Sequence, residues 1–149
     1  AAVYYSPLQY MYWYDKPSDS QDEPELKFFD DVYTTWDDTK VLQGEVGEFI
    51  TIARRKGEEW FIGSITNNEK RVLSVSLDFL PEGKNYIAEI YTDGDKSVKT
   101  RTKVRVSTYR VSNKTKLNFC LKASGGGAVR LVPDDGNIKS VKNYKQQRL

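Results

Sequence analysis

From about Val41 to Val132, short apolar runs with a period of two residues alternate with turns that contain Gly, Asn and Asp. This pattern is typical of antiparallel strands joined by short connections. Because no helical pattern separates the runs, we predict a mainly β fold, an antiparallel β-sandwich of about seven to eight strands. The predicted strands cover residues 49–55, 59–65, 71–77, 86–92, about 99–106, 116–121 and 128–132.

The N-terminal segment has a different composition. Residues 1–36 contain ten of the nineteen aromatic residues in the chain. Ser6 before Pro7 is a good N-cap, and Pro24 is placed in the same way, so the segment predicts two short helices over 8–14 and 25–32. A polar linker, 15–23, lies between them. So many rings require a large partner surface to cover them.

Composition argues against several kinds of chemistry. The chain has 149 residues, which fits one domain, with no histidine and a single cysteine, Cys120. Histidine is the commonest general base near neutral pH and the commonest metal ligand. One cysteine forms neither an intrachain disulfide nor a CxxC motif. No apolar run approaches the roughly 20 residues of a membrane-spanning helix, so we expect no membrane partner.

Charge is distributed unevenly along the chain. Residues 1–38 hold nine acidic and two basic residues, whereas 39–149 hold twelve acidic and twenty-one basic residues. The two parts are therefore expected to attract each other. Residues 133–149 are polar and basic, with little apolar content, and we predict a disordered or loosely packed tail there.

Eight basic residues and no acidic residue lie between Lys96 and Lys116. A single strand would place four of them on one face by alternation: Lys99, Arg101, Lys103 and Arg105. Nucleic-acid binding by strands also needs interleaved aromatic rings, and this stretch has only Tyr109, so we expect no nucleic-acid partner. A solvated, edge-protecting face and a docking surface for an acidic neighbour both remain open.

An ordered series of motifs resembles the C-terminal region of glycoside hydrolase family 97, which comprises α-glucosidases and α-galactosidases. The match runs over about 3–131, and the order of the motifs makes it specific. The motifs are VYYSPLQ at 3–9, EPE at 23–25, TWDDTKVL at 35–42, GEVGEFITIARRKG at 44–57, WFIG at 60–63 and GGGAVRL at 125–131.

The resemblance implies a division of the chain. Residues 1–36 would be the end of a catalytic (β/α)8 barrel and linker, 37–132 the C-terminal β-sandwich, and 133–149 the tail. The start at Ala1 is expected to be an internal cut in a longer protein, which we call the parent. The family uses paired carboxylates and a calcium ion on barrel strands upstream, so we expect no catalytic residue, metal site or cofactor in this chain. Export to the periplasm or secretion is likewise implied.

Carboxylates within the chain do not suggest glycoside hydrolysis, which needs two of them facing one bond. Glu58 and Glu59 are adjacent in an extended segment and so point to opposite faces. The other adjacent pairs sit in a helix or loops without apolar surroundings. The acidic turn around Gly94 lacks the spacing of a calcium loop. An enzyme in its own right is therefore the last-ranked hypothesis.

Two functions remain. In the first, the sandwich is a non-catalytic accessory domain that braces the barrel of an α-glycoside hydrolase and helps subunits associate as a homo-oligomer. Its candidate interface residues are Tyr5, Tyr10, Trp13, Phe28 and Trp36. In the second, the sandwich binds oligosaccharides by ring stacking, for which the candidates are Trp60, Tyr86, Tyr91 and Tyr109. Trp60 lies in the most apolar run, which favours a core position for it.

Overall fold

The computed structural model describes residues 1–6, 16–19, 23–99, 102–138 and 140–145. A 3-10 turn at Pro17–Asp19 precedes a short helix, α1, at Leu26–Asp31. The strands are β1 Asp38–Glu45, β2 Phe49–Lys56, β3 Glu59–Thr66, β4 Arg71–Ser76, β5 Asn85–Asp93, β6 Val104–Ser112, β7 Lys116–Leu121 and β8 Gly126–Pro133. The helix predicted over 25–32 is confirmed as α1, and the helix predicted over 8–14 lies outside the described residues.

Within the described residues, eight strands form two antiparallel sheets, so the prediction of a mainly β antiparallel fold is confirmed. The larger sheet has the order β1-β2-β3-β8-β5-β6, and β4 pairs with β7 in a second, two-stranded sheet. The smaller sheet covers one face of the larger one, which we call the inner face. The core between them includes Trp60, Ile62, Leu73, Val75, Phe119 and Leu131.

The hairpin of β2 and β3 forms the centre of the molecule. Gly57 has a positive φ of 57° in its turn, a conformation that glycine adopts without steric cost. On β3, Trp60 and Ile62 point to the inner face and Phe61 to the opposite face, and all three are buried. Both faces of this hairpin are therefore covered. We call the opposite face the outer face.

The first strand, β1, was not among the predicted strands. It is an edge strand that is mostly exposed, and its pairing with β2 is interrupted by a bulge between Val41 and Gln43. A bulge inserts one extra residue and so shifts the side-chain alternation. The period-two pattern that reveals a half-buried strand is therefore absent from this segment.

The strand predicted near 99–106 is wrong in position, because β6 begins at Val104. Lys103 has a positive φ of 58°, which breaks an extended strand. The backbone N–H of Gly94 donates to the carbonyl of Lys103 at 2.7 Å, which closes the preceding loop. The prediction that four basic residues share one face of this strand is also wrong. Lys99 and Lys103 precede β6, Arg101 lies outside the described residues, and Arg105 pairs with Asp95 at 3.0 Å.

The chain after β8 returns to the edge strand β6. Arg110 forms a parallel bridge with Asn143, and Tyr144 stacks edge-on against Tyr109 with ring centroids 5.4 Å apart. The Tyr144 hydroxyl accepts a hydrogen bond from the backbone N–H of Asn118 at 3.0 Å. These contacts give the described part of the tail a defined position, where the sequence predicted loose packing. Residues 146–149 lie outside the described part.

Candidate domain-interface site

Residues 1–6 and 23–36 lie against the outer face of the larger sheet, and we call them the outer layer. Gly63 on β3 permits their close approach, since a Cβ atom there would come within 2.8 Å of Val3 Cγ2 and 3.1 Å of Ala2 Cβ. A side chain at this position would push the first residues away from the sheet. The strand is therefore shaped to accept this layer.

A cluster of aromatic rings joins the outer layer to the sheet. Phe61 is fully buried, and its ring centroid lies 5.9 Å from that of Phe28, 5.8 Å from that of Tyr33 and 5.4 Å from that of Trp36. Phe28 also packs edge-on against Tyr91 of β5, at 5.4 Å. All four pairs have the edge-to-face geometry that aromatic rings prefer. The cluster thus buries a large apolar area on the face opposite the main core.

A group of ion pairs connects α1 to the sheet beside this cluster. The Arg130 guanidinium contacts Asp31 at 2.7 Å and Glu59 at 2.9 Å. Lys27 contacts Asp31 at 3.0 Å and Glu89 of β5 at 2.8 Å. Burial opposes the charge on Arg130, but its hydrogen bond to Glu59 and the nearby carboxylates outweigh burial and raise its pKa. The network fixes the orientation of α1 on the sheet.

Arg54 of β2 points from the outer face into the same layer. Only 2% of the residue is exposed. Its Nη2 donates to the Val3 carbonyl at 3.3 Å, and its guanidinium lies 5.5 Å from the Tyr5 ring centroid and 5.8 Å from that of Trp36. Its Nε has no hydrogen-bond partner in the part of the chain that the structure describes. Burial lowers the pKa of Arg54, since the charged form loses its hydration.

Glu25, like Glu23, is a buried acidic residue of the layer. It is 8% exposed, and its Oε2 has no hydrogen-bond partner among the described residues. It lines a cavity of about 310 Å³ on the outer face, which Phe28, Tyr91 and Gly127 also line. The lining of this cavity is mainly apolar.

The predicted interface residues divide into three groups. Phe28 is buried in the aromatic cluster, and Trp36 is half-buried there. Tyr5 contacts Arg54 but is 90% exposed. Tyr10 and Trp13 lie outside the described residues. The role of the five residues in docking a further domain stays a prediction.

Arg54, Phe61 and Arg130 were not among the predicted interface residues. Phe61 could have been found, because β3 is apolar on both faces and a second covering layer must exist. The two arginines gave no such signal. The partner Asp31 is 99 residues from Arg130 in the chain, and the sequence alone does not pair them.

Three of the four candidate sugar-stacking rings are buried. Trp60 and Tyr86 belong to the inner core, and Tyr91 belongs to the outer cluster. Burial raises the pKa of the hydroxyl groups of Tyr86 and Tyr91. Tyr109 is half-buried and lies edge-on to Tyr144. Stacking on a sugar needs an open ring face, and the placement of these rings lends that hypothesis no support.

Several carboxylates on the described surface contact cations and backbone donors. Glu58 pairs with Lys84 at 2.9 Å, and Asp37 accepts from the backbone N–H of Gly57 at 2.8 Å. That hydrogen bond, together with Lys56, lowers the pKa of Asp37. Among the described residues, no group of three or more His, Cys, Asp or Glu side chains could hold a metal ion. Nor does the described part include a helix that is long and apolar enough to cross a membrane.

The structure defines an antiparallel β-sandwich whose larger sheet is covered on its second face by an N-terminal layer. A family model described as glycosyl-hydrolase 97 C-terminal, oligomerisation, matches residues 35–132. The chain therefore belongs to the C-terminal domain family of glycoside hydrolase family 97. The resemblance noted in the sequence is confirmed.

Relatives of known name agree with this assignment. A retaining alpha-galactosidase from Bacteroides thetaiotaomicron is 34% identical over 118 residues, which are 78% of this chain and 18% of the relative. A glycoside hydrolase family 97 enzyme from a Pseudoalteromonas species, solved with acarbose, is 35% identical with a TM-score of 0.66. The match covers 72% of this chain and 18% of that enzyme. A variant of the enzyme solved with panose matches at 34% identity and the same TM-score, 0.66, over the same shares, 72% and 18%.

Proposed function

We propose that this chain is a non-catalytic accessory domain of a larger hydrolase that acts on α-glycosides such as α-glucosides or α-galactosides. In that protein the sandwich braces the catalytic barrel and helps the subunits associate. The family description, which names oligomerisation, supports the second part. The relative named as a retaining alpha-galactosidase supports the substrate class. The catalytic carboxylates and a calcium ion would belong to the barrel, and the protein would be periplasmic or secreted.

The observation that carries this proposal is the way the outer layer is built into the sheet. Phe28 and Trp36 pack on Phe61 of β3, and Asp31 pairs with Arg130 of β8. The resemblance assigns residues 1–36 to the end of a barrel. A barrel continuous with this layer would be held to the sandwich by an aromatic cluster and ion pairs, since neither part can move without breaking them.

Hydrolysis assays test the proposal directly. Nitrophenyl α-glucoside and nitrophenyl α-galactoside are offered to this chain and to the intact parent, with calcium supplied. We expect activity in the parent only. Activity in this chain alone would overturn the accessory role, and a parent inactive on both substrates would overturn the substrate class.

The bracing role has its own measurement. We expect the sandwich to be more stable in the parent than in the isolated chain, because the outer layer is then covered by the barrel. Hydrogen exchange of the β2 and β3 amides reports the free energy of opening in both proteins. Equal protection in the two would show that the barrel and the sandwich do not support each other.

A further inference from the structure

An open apolar groove of about 550 Å³ lies beside the turn between β1 and β2, and we call it the hairpin groove. In the described part of the chain it is lined by residues 41, 44–50 and 65–67 alone. Ile50 pairs with Gly44 of β1 and with Ile65 of β3, so these three positions lie on the outer face. The hairpin groove is therefore a part of the outer face that the outer layer does not line.

The hairpin groove is surrounded by exposed aliphatic side chains. Val46, in the turn, is fully exposed, Val41 is 67% exposed and Ile65 is 37% exposed. Gly44 carries no side chain, so the surface between Val41 and Ile50 is recessed. A projecting side chain beside a recess on the same patch is self-complementary, as a two-fold interface between identical chains requires.

The other surfaces of the larger sheet are already covered. The smaller sheet lies on its inner face, and the outer layer lies on the rest of its outer face. At the edge strand β6, Arg110 bridges to Asn143 of the tail. At the opposite edge, no strand of the described residues pairs with the free side of β1. An exposed edge with an apolar groove beside it is typical of a surface that another chain covers.

The occupant of this surface is best explained as a second copy of the chain. The family model whose description names oligomerisation matches residues 35–132, which contain the whole hairpin groove but neither the rest of the outer layer nor the tail. Charge favours the same pairing. If Val46 contacts Val41 of a second copy, the exposed Glu45 comes within reach of Lys40 of that copy, because each charged residue is next to a contact residue.

We propose that the hairpin groove is a two-fold interface in which Val46 of each subunit inserts into the recess beside Val41 and Ile50 of a second copy. This inference rests on the proposed function and adds to it the surface through which the subunits associate.

Sedimentation velocity over a range of protein concentrations tests the interface, both in this chain and in the intact parent. Val46→Asp places a carboxylate in both halves of the symmetric contact, where it would lose its hydration without a partner. We expect the dissociation constant between subunits to rise by about a hundredfold or more. The folded subunit should keep its Tm, because Val46 is fully exposed within it.

A second variant tests which residues meet. Val41→Lys should weaken association in the same way. In a mixture of the Val46→Asp and Val41→Lys proteins, a mixed dimer has one Asp–Lys contact and one unchanged valine contact. We expect the mixture to associate within about tenfold of the wild-type dissociation constant, whereas each variant alone stays dissociated. A mixture that remained monomeric would contradict the proposed pairing.

Val106→Asp is the matched control. Val106 is 39% exposed and lies on β6, at the opposite edge of the larger sheet, so this change should leave the dissociation constant within about threefold. If Val46→Asp left the subunits associated, or lowered the Tm without changing their association, the hairpin groove would not be the interface between copies. A wild-type chain and parent that both stayed monomeric at every concentration would instead refute the association role in the proposed function, and this inference with it.

Discussion

Replacement of Phe61 by alanine is the sharpest test of the idea that the outer layer is a second core. Phe61 is fully buried, and its ring contacts those of Phe28, Tyr33 and Trp36. Phe→Ala in a core costs about 3–5 kcal/mol, the sum of lost transfer energy and the cavity that remains. The three ring pairs place this site toward the upper end of that range. For a domain of this size, the cost corresponds to a fall in Tm of roughly 6–20 °C.

Phe119→Ala provides a matched comparison. Phe119 is the same residue type, is buried to the same degree and lies in the inner core on β7. Both changes should lower the free energy of unfolding in urea by similar amounts. They differ in where the structure opens, because only Phe61 holds the outer layer.

Limited trypsin digestion followed by mass spectrometry distinguishes the two variants. Lys27 lies in α1, at the centre of the outer layer. We expect Phe61→Ala to accelerate cleavage after Lys27 under conditions where β2 and β3 remain protected. In the Phe119→Ala variant, trypsin cleavage sites should become accessible only as the whole domain unfolds. If Phe61→Ala cost less than about 1 kcal/mol and left cleavage after Lys27 unchanged, the outer layer would not be a second core.

Three further outcomes follow from the same structure. Gly63→Val should cost about 1–3 kcal/mol in urea unfolding, because its Cβ would collide with Val3 at 2.8 Å and displace the first residues; an unchanged midpoint would contradict that contact. Asp37 has a pKa below its ordinary value of 3.8, so its contribution to stability is present above that pH and is lost as the pH falls. The Asp37→Asn variant should therefore lose less stability than the wild type between neutral pH and pH 3. An identical dependence of the free energy of unfolding on pH in the two proteins would argue against the hydrogen bond to Gly57. Tyr144→Phe should cost about 0.5–1.5 kcal/mol, measured by thermal unfolding, by removing the acceptor for a backbone N–H, whereas no shift would mean that the tail does not hold its place on β6.

Sequence patterns predicted those parts of the fold in which burial follows a simple period. In β4, Leu73 and Val75 are buried while Val72 is exposed, and the alternation was visible in the sequence. In β1 and β6 the pattern failed for local reasons. A bulge shifts the alternation of β1, and the left-handed backbone at Lys103 ends the loop before β6. Neither feature has a reliable signature in residue type.

The candidate site was predictable only in its apolar part. The crowding of rings before residue 37 indicated that a partner surface exists, and the structure shows Phe28 and Trp36 packed on the sheet. The polar part depends on pairs that are far apart in the chain, such as Arg130 with Asp31. A buried arginine such as Arg54 is not recognisable in the sequence, because most arginines lie on the surface.

The position of the outer layer also bears on where the sandwich ends. The predicted boundary at 36/37 follows the resemblance, but Phe61 and Tyr91 are covered by Phe28, which precedes that boundary. Removal of residues 1–36 would expose these two rings and leave Arg130 without Asp31. Burying one aromatic side chain removes roughly 150–250 Å² from water, so the exposed patch would be large enough to promote association. The outer layer is therefore part of the folding unit of the sandwich. A further domain that continued from this layer would be coupled to the sandwich more strongly than by a flexible linker, since unfolding of either part would disrupt the shared segment.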